Sequence, residues 1–555
     1  MGKKELRIGV DLRLEKQRVD VYSPVPGISK WTSREGGVNQ MSEAAVTQSD
    51  GARERKGDIQ LLAALAGVAL VLHVLFNRRY GFHGDELYFY ACADHLAWGY
   101  VDHPPLVPFI AWLSRALLRE SLFALRLYPA LAHAGLIFLT GWLAREMGGG
   151  RWAQGIAALT VLISPVYLYC GNVLTTGFEP FWSVCTFILV LMLNGRTAKL
   201  WLLFGAAAGF GLLNKHSMLF WGFGLAVGLL LTARPLLKSK WVWIGGALAG
   251  LIFLPNFIWE QQHHWVTLTA LDQMRQFNRE PFSGVAFWMT NVVINHPFTV
   301  PIWLAGLWFY LFNRRGRPYR TLGIAFLVVA VLLAVMNGKA YYLGGAYPAV
   351  LAGGAVMAGI WAERRRWRWQ KAAVTAALAV GGAAWVPLYL PILPLPEFAR
   401  FHRLMDFYQP RMEKSDVGQE IPTVFGNMLG HEELAKAVAG VYFSIPESER
   451  KNTAIYGNTY AQAAAIDYYG PGLGLPKAIS GHQTYGLWGP RNYTGETMIL
   501  IGMSKRGAEE GYASVEVGAE VKVPYAPPWL NGQILLCRHP VMSLQQAWPR
   551  LVRFH

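Results

Sequence analysis

The residues most suited to chemistry are acids in one polar stretch of an otherwise apolar chain. The stretch contains Asp85, Glu86 and Tyr88, followed further on by Asp102 and His103. Apolar residues recur at helical spacing after Glu86, so we expect a short helix along a membrane surface there. A carboxylate at that depth is near the lipid headgroups but still hydrated, and it can accept a proton from an incoming hydroxyl. The alternative is a solvated loop acid, or a helix N-terminal charge favoured by the macrodipole.

Glu179 is a second acid in an unusual place. It follows Thr176-Gly177-Phe178 and lies in the first turn of an apolar segment. Acids inside membrane spans cost energy and usually face a cavity or a partner. The alternative is a charge at a helix start, stabilised by the free backbone amides. The residues alone leave both interpretations open.

Two lysines lie in very short connections between apolar segments. Lys339 is followed by Tyr341 and Tyr342, and Lys215 follows Asn214. A cation at this depth suits a phosphate at the level of the lipid headgroups. The alternative is a lysine whose stem covers apolar surface while its ammonium reaches water.

Motifs of several other chemistries are absent from the sequence. There is no Walker loop, no GxSxG elbow, no HExxH and no DxD, so neither ATP hydrolysis nor soluble nucleotide-sugar chemistry is indicated. The 4 cysteines show no CxxC or Cys/His ligand spacing, which gives no support to a structural zinc site.

The composition indicates that a membrane positions these residues. The chain has 555 residues, of which 53% are hydrophobic and 15% charged, against roughly 25% charged in ordinary soluble domains. The net charge of +16 is explained by basic cytoplasmic loops, and no aromatic-interleaved basic stripe indicates nucleic-acid binding.

Apolar segments near the length of a spanning helix occur along most of the chain. We predict eleven spans, at 59–77, 122–144, 152–170, 177–194, 200–213, 217–232, 241–258, 286–312, 321–336, 341–361 and 371–393. Basic clusters alternate between the connections, which predicts a cytoplasmic N-terminus and a C-terminus outside. The acids and both lysines then lie at the outer face.

The predicted organisation has three parts. Residues 1–58 are predicted to be a disordered cytoplasmic segment, in which Met41 is a second plausible start. Residues 59–393 form the membrane domain, with large outer loops at 78–121 and 259–285. Residues 394–555 are predicted to form a small periplasmic α/β domain. Its helices are expected at 432–442 and 461–469, and its strands at 453–456, 497–502, 514–523 and 533–537.

Taken together, the motifs resemble those of the GT-C superfamily of membrane glycosyltransferases. The likeness is greatest to the bacterial branch related to protein O-mannosyltransferases and the aminoarabinose transferases of lipid A. It covers residues 59–360 well and the tail weakly. It depends on the order of Gly84-Asp85-Glu86 with Tyr88, Asp102-His103-Pro104-Pro105-Leu106, Thr176-Gly177-Phe178-Glu179-Pro180, Leu213-Asn214-Lys215, Gly338-Lys339 with Tyr341-Tyr342, and Gly481-His482-Gln483-Thr484-Tyr485.

The resemblance implies a GT-C-type fold and a sugar donor carried on a polyprenyl phosphate. It implies that Asp85 is the general base on the acceptor hydroxyl, and that Glu179 positions the substrate or a divalent cation. Lys339 would hold the donor phosphate and stabilise the leaving charge. Displacement at the anomeric carbon would invert its configuration. The remaining substrate-binding candidates are Glu86, Tyr88, Asp102, His103, Lys215, Tyr341 and Tyr342.

The partners expected from this likeness are the lipid-linked donor, a glycolipid or glycan acceptor such as lipid A or lipopolysaccharide, and the lipids of a bacterial inner membrane. Cofactors are left open: none is certain, and a divalent metal ion on Asp85 and Glu179 is one alternative. A protein hydroxyl is the alternative acceptor. Two other classes also stay open, a flippase or transporter of lipid-linked sugars and a sensor that works through residues 394–555. Transporters usually bind near the midplane and show inverted repeats, and neither feature is visible in the sequence.

Overall fold

A computed structural model describes residues 36–554 apart from 177–179, 278–282, 366–367 and 406–418. It divides into two compact units, Met1–Gly57 and Asp58–His555. Residues 1–58 are the segment predicted to be disordered, and residues 1–35 of it lie outside the described residues. From Gly36 the backbone is helical, in a stretch rich in the helix formers Ala, Glu, Gln and Arg.

Helices make up most of the described residues between 58 and 389. Short 3-10 turns occur at Pro297–Thr299, Arg317–Tyr319 and Ala340–Ala346. The α-helices up to this point are α1 (Gly36–Phe76), α2 (Gly84–Asp94), α3 (Leu106–Leu118), α4 (Leu122–Glu146), α5 (Arg151–Ile163), α6 (Pro165–Asn172), α7 (Pro180–Leu193), α8 (Leu200–Asn214), α9 (Met218–Thr232), α10 (Arg234–Leu237), α11 (Lys240–Gln262), α12 (Val266–Phe277), α13 (Gly284–Ile294), α14 (Val300–Phe312), α15 (Arg320–Val335), α16 (Tyr347–Arg364) and α17 (Arg368–Tyr389).

The chain is a multi-pass membrane protein, and each predicted span coincides with a helix or with a bent pair of helices. Within the described residues, 6 helices are long and apolar enough to cross a membrane, or up to 8 with the two bent pairs α5–α6 and α13–α14. The other three predicted spans coincide with the shorter apolar helices α7, α8 and α9. The short apolar helix α3 lies inside the predicted outer loop 78–121. The count of eleven crossings therefore stays a prediction.

The C-terminal region contains the predicted mixture of helices and strands. Its sheet has the order β1-β2-β4-β3, in which β1 and β2 are parallel and the other neighbours antiparallel. A 3-10 turn occupies Pro471–Leu473. The elements are α18 (Leu395–Met405), α19 (Thr423–Gly426), α20 (His431–Ser444), α21 (Glu447–Arg450), β1 (Thr453–Gly457), α22 (Tyr460–Tyr469), α23 (Thr484–Trp488), β2 (Thr497–Ile501), α24 (Lys505–Glu509), β3 (Tyr512–Val521), β4 (Gly532–Pro540) and α25 (Leu544–Leu551).

The C-terminal region shares its hydrophobic core with the first outer loop. Tyr88 and Leu125 belong to the same buried cluster as Phe425, Ile466 and Tyr485. Helix α2 is apolar on nearly all its sides, as a helix in a core must be. Residues 87 to 93 are all buried. Any side chain on α2 therefore has its position fixed by both regions.

A buried ion pair fixes the start of α2 against α4. Arg126 donates from Nε to Glu86 Oε1 at 2.9 Å and from Nη2 to Oε2 at 2.7 Å, and both side chains are 0% exposed. Glu86 also accepts from the backbone N–H of His83 at 2.9 Å and from that of Leu174 at 3.2 Å. The carboxylate thus joins α2, α4 and the segment that follows α6.

The guanidinium of the same pair holds the connection between α1 and α2. Arg126 donates to the backbone carbonyls of Asn77 at 2.9 Å and Gly81 at 2.8 Å. A buried charge is tolerated only when it is paired and its remaining hydrogen-bonding capacity is used. Both charges meet that requirement here, so the four segments have one favourable arrangement.

We expect Arg126→Met to lower the stability of the protein by about 3–5 kcal/mol, because it leaves the Glu86 carboxylate buried without its partner. Thermal or denaturant unfolding of the purified protein in detergent would measure the loss. Lys436→Met is the matched control, because Lys436 pairs with Glu432 at 2.7 Å with side chains 59% and 53% exposed. That change should leave the unfolding midpoint almost unchanged, because solvent screens an exposed ion pair. Equal unfolding midpoints for the two variants would contradict this role of the ion pair.

Candidate active site

Asp85 lies in the first turn of α2, where the helix start fixes its direction. His83 is the N-cap: its Nδ1 accepts from the backbone N–H of Asp85 at 3.1 Å, while Glu86 accepts from the N–H of His83. This reciprocal pattern is a capping box, which satisfies amides that the helix leaves without partners. Neighbouring side chains on a helix point about 100° apart. With Glu86 directed inward, the Asp85 side chain remains 39% exposed.

The buried position of Glu86 does not fit its predicted role in substrate binding. It was a candidate for substrate binding, but its carboxylate is fully buried and already accepts four hydrogen bonds. It is therefore not placed to contact a substrate. The sequence could not distinguish Asp85 from Glu86, because adjacent acids differ only in which side of the helix each one faces.

The C-terminal region supplies a partner for Asp85. The hydroxyl of Tyr460 donates to Asp85 Oδ1 at 2.7 Å, and His83 Nδ1 lies 3.7 Å from the other carboxylate oxygen. Tyr460 is the first residue of α22, and its ring centroid lies 4.6 Å from that of Tyr88. Sequence analysis missed Tyr460, because no local motif marks a residue that arrives from 375 positions away.

Two further candidates, Tyr88 and Asp102, are brought together. The buried Tyr88 hydroxyl lies 2.9 Å from Asp102 Oδ1 and 2.6 Å from Thr484 Oγ1. Thr484 Oγ1 also accepts from the backbone N–H of Val101 at 3.1 Å. Thr484 belongs to the tail motif 481–485, so that motif was a usable signal for a contact with the first outer loop.

Asp102 lies close enough to Asp85 for the two carboxylates to interact. Burial raises the pKa of Asp102, and the negative charge of Asp85 raises it further. The charge of His103 and the hydrogen bond from the hydroxyl of Tyr88 act in the opposite direction. Asp102 therefore holds a proton more readily than an ordinary aspartate. Two neighbouring carboxyl groups in unequal environments are an arrangement suited to proton transfer.

His103 supports the loop that carries Asp102. Its side chain is buried, with Nδ1 3.0 Å from the carbonyl of Pro104 and Nε2 3.8 Å from Asp102 Oδ1. The ring packs edge-on against Phe89 and lies 4.8 Å from the ring of Tyr100. His103 was predicted to bind substrate, but its burial places it behind Asp102.

The predicted cations and tyrosines form a second cluster. The Nζ of Lys215 lies 4.6 Å from the ring centroid of Tyr342, and that of Lys339 lies 5.7 Å from the ring of Tyr341. The two tyrosine rings are 4.8 Å apart and nearly perpendicular. Cation–π contacts help to hold each lysine at its tyrosine, and positive charges at this place suit an anion such as a phosphate.

Asn256, near the C-terminal end of α11, connects the two clusters. Its Oδ1 is 3.0 Å from Nε2 of His216, the residue after Lys215, and its Nδ2 donates to the carbonyl of Trp98 at 2.7 Å. The loop of Trp98 continues to Asp102. Gly99 allows this close approach, because a Cβ there would lie 2.3 Å from the ring of Trp259. The acids and the cations thus lie at the same end of the helices.

Glu179 lies outside the described residues, so its predicted role stays a prediction. The described chain stops at Thr176 and resumes where α7 begins, at Pro180. Among the residues that the structure describes, no group of three or more His, Cys, Asp or Glu side chains is arranged to hold a metal ion. Metal binding by Asp85 and Glu179 likewise stays a prediction.

Known proteins resemble the chain in sequence. Residues 102–259 match the family described as dolichyl-phosphate-mannose-protein mannosyltransferase. Lipid A galacturonosyltransferase RgtD from Rhizobium johnstonii is 25% identical over 427 residues, which cover 72% of this chain and 84% of the relative.

Solved structures share the fold. ArnT from Cupriavidus metallidurans bound to undecaprenyl phosphate aligns with a TM-score of 0.56 at 15% identity, over 85% of this chain and 97% of that one. ArnT in the apo state aligns with a TM-score of 0.53 at 15% identity, over 87% and 98% of the two chains. The family match, the sequence relative and the common fold support the resemblance of this chain to the GT-C superfamily of membrane glycosyltransferases.

Proposed function

We propose that the protein transfers a sugar from a polyprenyl-phosphate donor to a hydroxyl of lipid A, lipopolysaccharide or another envelope glycan. The reaction takes place at the periplasmic face of a bacterial inner membrane, with the N-terminus cytoplasmic. The observation that carries the proposal is the placement of a carboxylate pair and a lysine–tyrosine cluster at one end of the membrane helices. The lipid A specificity of RgtD and the undecaprenyl phosphate in ArnT support the choice of acceptor and donor.

Asp85 acts as the general base. It is the exposed member of the two adjacent acids, and the helix start and Tyr460 hold it in place. An acceptor hydroxyl that reaches Asp85 transfers its proton as its oxygen attacks the anomeric carbon. Asp102, whose pKa is raised, is the second carboxyl group near Asp85, and its Oδ1 lies 2.9 Å from the hydroxyl of Tyr88. Glu179 is the second acid of the site and positions the substrate or a divalent cation.

The lysine–tyrosine cluster receives the donor phosphate. Lys215 and Lys339 carry the positive charge that stabilises the phosphate as it leaves, and Tyr341 and Tyr342 line the same place. A direct displacement by the acceptor inverts the anomeric carbon. Such a donor needs no nucleotide at the outer face, because the bond to the lipid phosphate is already activated.

A protein hydroxyl is the second candidate acceptor. It is favoured by the match of residues 102–259 to a family that is described as modifying proteins. A flippase or transporter is less well supported, because the acids of the proposed site and the lysine–tyrosine cluster lie at one end of the helices, whereas transporters usually bind near the midplane.

We expect Asp85→Asn to abolish sugar transfer and to leave donor binding intact, because the amide keeps the shape of the side chain but cannot take the proton. Mass spectrometry of envelope glycolipids from cells that carry the wild type, the variant or neither would measure the transfer. Asp94→Asn, at the other end of α2, is the matched control and should retain the sugar-mass difference.

The same experiment separates the rival classes. A flippase or a sensor should be almost unaffected by Asp85→Asn, so an unchanged glycolipid spectrum in that variant would overturn the proposed role. A wild-type spectrum identical to that of cells without the protein would remove the glycolipid acceptor and leave the protein acceptor.

Lys215→Met should lower kcat/KM for the lipid-linked donor by about 10- to 100-fold, because a charged hydrogen bond contributes roughly 1.5–3 kcal/mol. The control is Lys240→Met, since Lys240 lies 5.7 Å from the ring of Trp241 at the opposite end of α11. Rates measured at varied donor concentration would test both variants. Equal losses in the two would mean that Lys215 packs on Tyr342 without meeting the phosphate.

A further inference from the structure

Tyr460 joins the C-terminal region to the proposed base. Its hydroxyl donates to Asp85 Oδ1 at 2.7 Å. The ring is half-buried between two others, 4.6 Å from the centroid of Tyr88 and 5.0 Å from that of His482. Within the described part of the chain, Tyr460 is the side chain that donates a hydrogen bond to Asp85.

The start of α22 is built to hold Tyr460 in place. Thr459 caps the helix reciprocally with Gln462, at 3.3 Å and 3.0 Å, and Gln462 Nε2 donates to the carbonyl of Trp529 at 2.6 Å. His482 Nδ1 accepts from the backbone N–H of Tyr460 at 3.3 Å. These bonds come from three separate segments, so the tyrosine has little freedom to move away from α2.

The two helices also approach each other closely at this point. A Cβ on Gly84 would lie 2.9 Å from the Cβ of Ala461, the residue after Tyr460. Glycine at the start of α2 therefore lets α22 come near enough for the phenol to reach the carboxylate.

We infer that Tyr460 is a positioning residue for the proton transfer, and that the C-terminal region thereby completes the active site. The inference rests on the proposed function. The hydroxyl of Tyr460 donates a hydrogen bond to Oδ1 of Asp85 and so holds the carboxylate in one orientation. The other oxygen, Oδ2, is then the one that faces the acceptor. In the reaction the acceptor proton moves to Oδ2, the acceptor oxygen bonds to the anomeric carbon, and the phosphate leaves with the electron pair of the broken bond. Tyr460 keeps its own proton throughout.

Tyr460→Phe tests this role, because it removes the hydroxyl and retains the packed ring. We expect kcat to fall about 10- to 100-fold, since small misplacement of a reacting group has effects of that size. The KM values for donor and acceptor should stay within about threefold, because uniform binding is not lost. Tyr468→Phe, on the same helix, is the matched control and should leave kcat unchanged.

The outcomes are distinct. An unchanged kcat in Tyr460→Phe overturns the inference, and so does a raised KM at constant kcat, which would place the hydroxyl on a substrate. A melting temperature equal to that of the wild type excludes loss of fold as the cause of a lower kcat. A fall in melting temperature that matches the loss of kcat would assign Tyr460 a structural role and also overturn the inference.

The proposed function fails separately. If Asp85→Asn retains activity, the base is misassigned and the inference falls with it. If Asp85→Asn is inactive while Tyr460→Phe equals the wild type, only the positioning role of Tyr460 is wrong.

Discussion

The geometry of the site depends on the ion pair between Glu86 and Arg126, which is buried where several segments meet. Each charge is satisfied by the other and by backbone groups, among them the carbonyl of Gly81 and the N–H of Leu174. A charge without water is stable only while all its partners are in place, so the pair allows one arrangement of these segments. That arrangement turns Glu86 inward and leaves Asp85 at the surface of the site.

The remaining elements add constraints on the same small volume. The C-terminal region shares the core around α2 and contributes Tyr460 and Thr484 to the first outer loop. At the end of α11, Asn256 bonds both to the loop of Asp102 and to the residue after Lys215. An acid, a hydroxyl donor and a cation are thus held by contacts that are distant in sequence. Such rigid support from surrounding residues is what accurate placement of reacting groups requires.

Much of this structure is visible in the sequence, because hydrophobic runs and alternation are local signals. The apolar helices and the strands of the C-terminal sheet follow from local patterns, whereas the motifs marked Tyr88 and Asp102 as candidates without predicting their contact. The sequence does not show which side of the helix each acid faces, because Asp85 and Glu86 are neighbours and their roles differ only through the packing of α4. Tyr460 was also invisible, because its contact depends on two helices that meet only after folding. The burial of His103 could not be predicted either, because it also depends on contacts that form only after folding.

The central claim is that a lipid-phosphate donor is consumed at a carboxylate on the outer face. The most direct test reconstitutes the purified protein in liposomes with a synthetic polyprenyl-phosphate sugar and a lipid A acceptor, without nucleotide. The account predicts one equivalent of free polyprenyl phosphate for each glycosylated acceptor, and a product of inverted anomeric configuration by NMR. Donor cleavage without a glycosylated product, retained configuration, or a requirement for a nucleotide sugar would contradict it.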